Sequence, residues 1–278
     1  MSLYISSINS GSNGNCYYVG NDHEAVLIDA GISCREIKKR MMRLGLDIEK
    51  VKAIIVSHEH SDHIRGIETL SRKYSIPVYI TSDTLKYSGL FLDMELVRSF
   101  KAREPITIGQ LAIHPFPKHH DASDPFSFII SGNGVNIGVF TDIGLPCENV
   151  IHHFQQCHAA FLEANYDEKM LEEGSYPYYL KQRIRGDKGH LSNKQALDLF
   201  LEYRPTFMSH LLLSHLSQNN NCPEVAAALF NPHAGNTRII VASRFKESEV
   251  YRIQTNSPYE PVIKQTSSVY SQLQFAFS

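Results

Sequence analysis

The chain has 278 residues, with 27 Lys and Arg against 29 Asp and Glu, a formal net charge of −2 and 42% hydrophobic residues. That length allows one large domain or two small ones, and the near-neutral balance excludes binding to nucleic acid through bulk positive charge, leaving only a local basic surface for such contact. No apolar run reaches bilayer-spanning length, no basic start precedes an apolar core, and the five scattered cysteines contain no CxxC pair. These features argue against a membrane protein, a secreted disulfide framework and a thiolate zinc site, and make a reducing cytoplasm the expected setting.

In chain order, the apolar runs LYISSI, CYYV, AVLIDA, VKAIIVS, PVYI, LAIHPF, FSFII, VNIGVF, AAFLEA, TFMSHLLLSH and TRIIVA read as strands, being short, rich in β-branched and aromatic residues and mostly bounded by turn formers. Helical patterns lie between some of them. Ser33 caps a pattern carrying Ile37, Met41 and Leu44 on one face and ending at Gly45. Ser192 and Gln195 have capping-box spacing ahead of ALDLFLEY, and CPEVAAALFN at 222–231 starts a helix at its proline. Strands cluster near 1–29 and 104–142 and alternate with helices elsewhere, which predicts an α/β (α+β) fold of sheets covered by outer helices. No repeat or flexible linker interrupts it, so a single domain over 1–278 is expected. A C-terminal extension at about 257–278 packs either on the core or on a partner subunit; the sequence leaves that open, and the oligomeric state with it.

The chemistry concentrates at residues 58–63, HEHSDH, directly after AIIVS. On an extended segment residues i and i+2 point the same way, so His58 and His60 can grip one ion, while Asp62 and His63 on the following turn can face a second. Imidazole nitrogen with carboxylate oxygen suits zinc, manganese or iron. Two ions need further ligands from other strand ends, and the candidates are His120 in KHHDASDP, Asp142 closing VNIGVFTD and His215 in LLLSHLS. Adjacent strand residues face opposite ways, so only one of His119 and His120 can serve. Asp29 after AVLI reads as an acceptor for a ligand histidine, or as a turn residue. Gly11–Asn15 is either an anion-holding set of backbone N–H groups or a hairpin turn. Lys181, Arg183, Arg185 and Lys188, preceded by Tyr176, Tyr178 and Tyr179, suit a nucleic-acid backbone and stacked bases, or form a solvated helix face.

HEHSDH resembles the H-x-H-x-D-H signature of the metallo-β-lactamase superfamily, whose fold is a four-layer αββα sandwich. SGSNGN at 10–15, DAG at 29–31, HHDASDP at 119–125, YPYYLKQRIRGDKGHLSN at 176–193 and SHLSQNNN at 214–221 are similar to its YycJ (WalJ) branch, which contains exonucleases related to RNase Z. The resemblance implies His58, His60 and His120 on a first ion, Asp62, His63 and His215 on a second, and Asp142 bridging the two around a shared hydroxide. True β-lactamases of this fold often use a cysteine on the second ion; none stands at a matching place, which disfavours lactam hydrolysis. Gly189-His190-Leu191-Ser192 resembles the His-Ser/Thr proton-donor motif of RNase Z relatives. His190, with Asp62, is therefore expected to be catalytic, the alternatives being an eighth ligand or a plain loop histidine. Lys181, Arg183, Arg185 and Ser192 are expected to bind substrate, Ser192 by capping a helix whose free N–H groups face a phosphate. The implied activity is a two-metal phosphodiesterase, a 5′-to-3′ exonuclease of double-stranded DNA of the kind used in repair. Its main rival is a hydrolase of a small ester, thioester, lactone or cyclic phosphodiester, which has no need of the 181–188 cations.

Overall fold

The computed structural model describes residues 2–255; the expected extension at about 257–278 lies outside them. The first half runs β1 (Leu3–Asn9), β2 (Cys16–Gly20), β3 (Ala25–Ile28), α1 (Cys34–Arg43), β4 (Val51–Ile55), α2 (Ser61–Ile64), α3 (Ile67–Tyr74), β5 (Val78–Tyr79), α4 (Ser82–Ser88) and β6 (Val97–Arg98). The second runs β7 (Ile106–Ile108), β8 (Leu111–Pro117), β9 (Phe126–Gly132), β10 (Val135–Phe140), α5 (Glu148–Phe154), β11 (Ala159–Glu163), α6 (Glu168–Glu173), α7 (Tyr178–Arg185), α8 (Asn193–Tyr203), β12 (His210–Ser214), α9 (Pro223–Phe230), β13 (Arg238–Val241) and β14 (Tyr251–Ile253).

The strands form two sheets, ordered β14-β1-β2-β3-β4-β5-β6 and β13-β12-β11-β10-β9-β8-β7. Each begins as an antiparallel meander, β1-β2-β3 or β8-β9-β10, and continues with parallel strands joined by helical crossovers. Parallel strands need coverage on both faces, and their sequences agree: AVLI, AAFLE and HLLLS are buried at every position. One apolar core fills the space between the sheets, where Tyr17 packs on Phe161 with ring centroids 4.8 Å apart. A second lies between the first sheet and α1 and α3, and a third between the second sheet and α5, α8 and α9. The layers are therefore helix, sheet, sheet, helix: outer helices cover the sheets as the alternation of patterns predicts, in the four-layer order that the resemblance implies.

The expected caps are present. Ser33 Oγ accepts from Glu36 N–H at the start of α1, whose Ile37 and Met41 are buried, and Ser192 with Gln195 forms the full capping box of α8. No helix among the described residues is long and apolar enough to cross a membrane. What matters for chemistry is that β3, β4, β8, β10, β11 and β12 all end, at their C-terminal edges, around one point between the two sheets. Strand ends in such folds are where ligands are held. Three residues just past those ends, Asp29, Asp142 and His215, hold the left-handed backbone conformation, with φ of 61°, 55° and 57°. Non-glycine residues adopt it at a cost that surrounding structure must impose, and such sites cluster where function demands them.

Candidate metal centre

His58, His60 and His63 follow β4, His120 follows β8, Asp142 follows β10 and His215 follows β12. The structure brings these and Asp62 into one cluster. His58, His60 and His120 offer ring nitrogens within 4.8 Å of one another, and a carboxylate oxygen of Asp62 lies equally close to ring nitrogens of His63 and His215. Between the two sets stands the Asp142 carboxylate. Its Oδ2 is 3.1 Å from His63 Nε2, and its Oδ1 is 3.4 Å from His215 Nδ1 and 3.7 Å from His120 Nε2.

The imidazoles are oriented from behind. His63 Nδ1 donates to Asp29 Oδ2 at 2.6 Å, His215 Nδ1 to Glu163 Oε1 at 2.8 Å and His120 Nδ1 to the Gly189 carbonyl at 3.1 Å. His58 Nδ1 donates to Ser57 Oγ at 2.8 Å, which in turn donates to Asp29 Oδ2 at 2.7 Å. All four rings thus have Nδ1 occupied and Nε2 turned inward. His60 instead presents Nδ1, 3.1 Å from His58 Nε2 and 3.3 Å from His120 Nε2. Outer acceptors of this kind fix tautomer and ring angle and raise ligand basicity. His120 is buried and joins the cluster; His119 is exposed and does not, although its carbonyl accepts from Gly144 N–H at 2.7 Å.

Electrostatics follow from burial beside opposite charge. Burial opposes the charge of Asp62 and Glu163, yet neighbouring histidines outweigh it and hold both down to about 2. Asp142 likewise lies well below the carboxylate range, against burial, through His215 and His63. Burial pushes His58 well down and His120 to about 3, which leaves their Nε2 lone pairs free. His63 is raised to about 10 because Asp142, Asp29 and Asp62 overcome its burial.

Two motifs legible in the sequence turn out to be supports. The 10–15 segment joins β1 to β2, and Asn15 N–H donates to the Asp62 carbonyl at 2.7 Å while its amide donates to Asp62 Oδ2 at 3.3 Å. In DAG, a Cβ on Gly31 would lie 1.6 Å from the Asp62 carbonyl oxygen, so only glycine lets the two loops meet.

Glu163 carries no motif and escapes a reading of the sequence. It is fully buried at the end of β11, where Oε2 accepts from Ile143 and Leu191 N–H at 2.7 and 3.2 Å. Oε1 accepts from Nδ1 of both His190 and His215, each at 2.8 Å. The available signal was one acid closing the apolar run AAFLEA, as Asp142 closes VNIGVFTD.

The cluster floors a cavity of about 220 Å³ in which His60, Asp62, Asp142, His190 and His215 meet the wall formed by Tyr176, Leu180 and Arg183. The expected substrate residues divide. Arg183 lines the cavity and ion-pairs with Asp121, the neighbour of His120. Arg185 lines a separate hollow and pairs with Glu172, whose carbonyl also takes the Lys181 ammonium. Ser192 is fully buried: its Oγ caps α8 and contacts Glu168. Three of the first N–H groups of that helix are already taken, those of Ser192, Asn193 and Gln195 going to Gln195 Oε1, the Tyr166 carbonyl and Ser192 Oγ, which leaves little for a phosphate to bind there.

Comparison with known proteins agrees with this geometry. A family profile described as "Beta-lactamase superfamily domain" matches residues 24–215. The Bacillus anthracis protein named Exodeoxyribonuclease YycJ is 31% identical over 266 residues, covering 94% of this chain and 98% of the relative. The Streptococcus pneumoniae D39 protein named Exodeoxyribonuclease WalJ is 32% identical over 223 residues, covering 78% of this chain and 82% of the relative. Among solved structures, the metallo-β-lactamase fold protein YhfI of Bacillus subtilis superposes with a TM-score of 0.70 at 16% identity, covering 91% of this chain and all of that one. The short form of human tRNase Z gives 0.62 at 14% identity, covering 88% and 98%. At such identities the structural likeness concerns the fold.

Proposed function

The chain belongs to the β-lactamase superfamily and within it to the YycJ/WalJ exodeoxyribonuclease family, a group of metal-dependent hydrolases, and from that membership we propose that it is a two-metal phosphodiesterase that degrades DNA from an end. The observation that carries the chemistry is the buried pair Asp142 Oδ2 and His215 Nε2, neither of which has a partner in hydrogen-bond geometry. Asp142 Oδ2 has His63 Nε2 at 3.1 Å and His215 Nε2 has Asp62 Oδ2 at 3.5 Å, close enough for charge but without hydrogen-bond geometry, and buried polar atoms in that state are costly unless a cation completes them. The inward donors are all imidazole nitrogen and carboxylate oxygen, a set that fits zinc, manganese or ferrous ions.

In this reading His58, His60 and His120 would hold one ion and Asp62, His63 and His215 the other, with Asp142 available to both. When bound, two such ions supply positive charge at the scissile phosphate and acidify the attacking water. The protein's own groups do the rest. Glu163 Oε1 accepts from His190 Nδ1, which leaves Nε2 as the nitrogen that protonates the departing oxygen. Asp62, held down to about 2, stays anionic as a ligand and is placed to orient the nucleophile. Arg183 meets a phosphate at the cavity wall, while Asp29 fixes His63 from behind. All five cysteines are free, which suits the proposed cytoplasmic setting.

The internal pairing of Lys181, Arg183 and Arg185 favours the small-substrate reading, since it offsets part of the charge a DNA backbone would meet. One experiment separates the two. Elemental analysis of the purified protein is combined with digestion of a 5′-phosphorylated duplex in manganese. Two metal equivalents with progressive shortening from the 5′ end are expected. A metal-loaded protein that cleaves generic small esters and leaves the duplex intact would replace the nuclease reading.

A further inference from the structure

Beside the cavity, the loop after β13 displays an aromatic ring on a backbone with little freedom. Phe245 is 79% exposed. Its carbonyl accepts from Arg40 at 3.2 Å and its N–H donates to Ser243 Oγ at 3.1 Å. The Arg244 carbonyl accepts from Asn13 at 3.1 Å and the Ser243 carbonyl from Ser10 N–H at 3.2 Å. Arg40 is itself buried, and its remaining bonds run to Ile8 and Asn9 at the end of β1. A single exposed apolar side chain is ordinary. One held rigidly beside a cation that hydrogen-bonds a residue lining the catalytic cavity is not.

The cation is Arg244. Its guanidinium donates to Gln218 Oε1 at 2.8 Å and to Ser12 Oγ at 2.9 Å, both neutral, and among the described residues no carboxylate pairs with it. Ser12 lines the catalytic cavity. Ser217 lines both that cavity and a second hollow of about 140 Å³ walled by Leu216, Pro223, Ala242 and Phe245. A guanidinium held by neutral acceptors among the described residues, on the ridge between a polar cavity and a largely apolar hollow, matches the two ends of a nucleotide, an anionic phosphate and a flat base.

We propose that Arg244 and Phe245 form a nucleotide subsite next to the catalytic cavity, with Arg244 on the phosphate adjoining the scissile one and the base of that nucleotide stacked on Phe245 over the hollow. The proposal rests on the DNA-cleaving reading and adds the pair that grips the strand.

The test measures kcat/KM of the metal-loaded protein on a 5′-phosphorylated duplex and on a series in which one nucleotide near the cleaved end at a time is abasic. Wild type should lose about 5- to 100-fold at one abasic position, the range for a base–aromatic stack. Phe245→Ala should lose as much on the intact duplex and no longer sense that position, while Phe245→Trp restores both. Arg244→Gln should make the salt dependence shallower by about one counterion. Phe245→Ala that still discriminates the abasic position as wild type does overturns the subsite and leaves the nuclease reading standing; a wild type that never cuts the duplex removes both. Dissociation of an oligomer by Phe245→Ala, with discrimination intact, gives the ring to a subunit interface instead and also overturns the subsite.

Discussion

Glu163 Oε1 stands 2.8 Å from His190 Nδ1, so a buried acid decides which ring nitrogen is left to face the cavity. The same oxygen orients His215, while Oε2 takes two backbone N–H groups. Glu163→Gln keeps the shape but sets an NH₂ against donors on one side or the other. Turnover should fall, and metal affinity should drop by about 10- to 100-fold, the usual cost of losing an outer partner of a ligand. Equilibrium metal titration beside kcat checks this; unchanged metal affinity would mean that His215 does not depend on Glu163.

His190→Ala separates proton donor from ligand. The variant should keep both metal equivalents and lose about 10²- to 10⁴-fold in rate, the scale of a positioned acid. Loss of one equivalent in that variant would instead place His190 among the ligands, where its 3.8 Å separation from Asp142 Oδ1 makes it a near neighbour.

Asp142 reaches both halves of the cluster, so Asp142→Asn should lower metal content as well as activity, a neutral amide being unable to join two dications. The adjacent histidines supply a control. His120→Ala should empty the site shared with His58 and His60, whereas His119→Ala, altering an exposed ring, should leave metal content near wild type.

Arg183 is the one cation of α7 that faces the catalytic cavity, and Arg183→Gln should test the segment more sharply than removing all three. Binding to duplex DNA should weaken and its salt dependence become shallower by about one counterion, while Arg185→Gln changes neither much because it opens on another hollow. Fluorescence anisotropy over a salt series reads both. Equal effects from the two variants would make α7 a general support.

HEHSDH was legible because its spacing is short, so strand geometry alone groups the side chains, and the layered fold because buried parallel strands leave unbroken apolar runs. Glu163 was not legible: its role exists only through His190 and His215, 27 and 52 residues further on, and a lone acid has no spacing to read. The cap at Ser192 could be foreseen from local pattern, but its burial could not, because the packing of Tyr166 and Glu168 against it is tertiary. Nor could the sequence reveal that the meander-and-crossover layout of the first sheet returns in the second, since the two halves share a plan without sharing residues.

The left-handed backbone at Asp29, Asp142 and His215 sets heat tolerance against turnover at three addresses. Glycine would relax each turn by roughly 1 kcal/mol in backbone terms while deleting the group that gives the position its use. Laboratory evolution that rewards survival at high temperature without demanding catalysis should therefore erode the turn at Asp142 before that at Asp29, whose carboxylate also accepts from His63 Nδ1, Ser57 N–H and Ser57 Oγ. A homologue carrying glycine at all three would be recognisable as a fold that has outlived its chemistry.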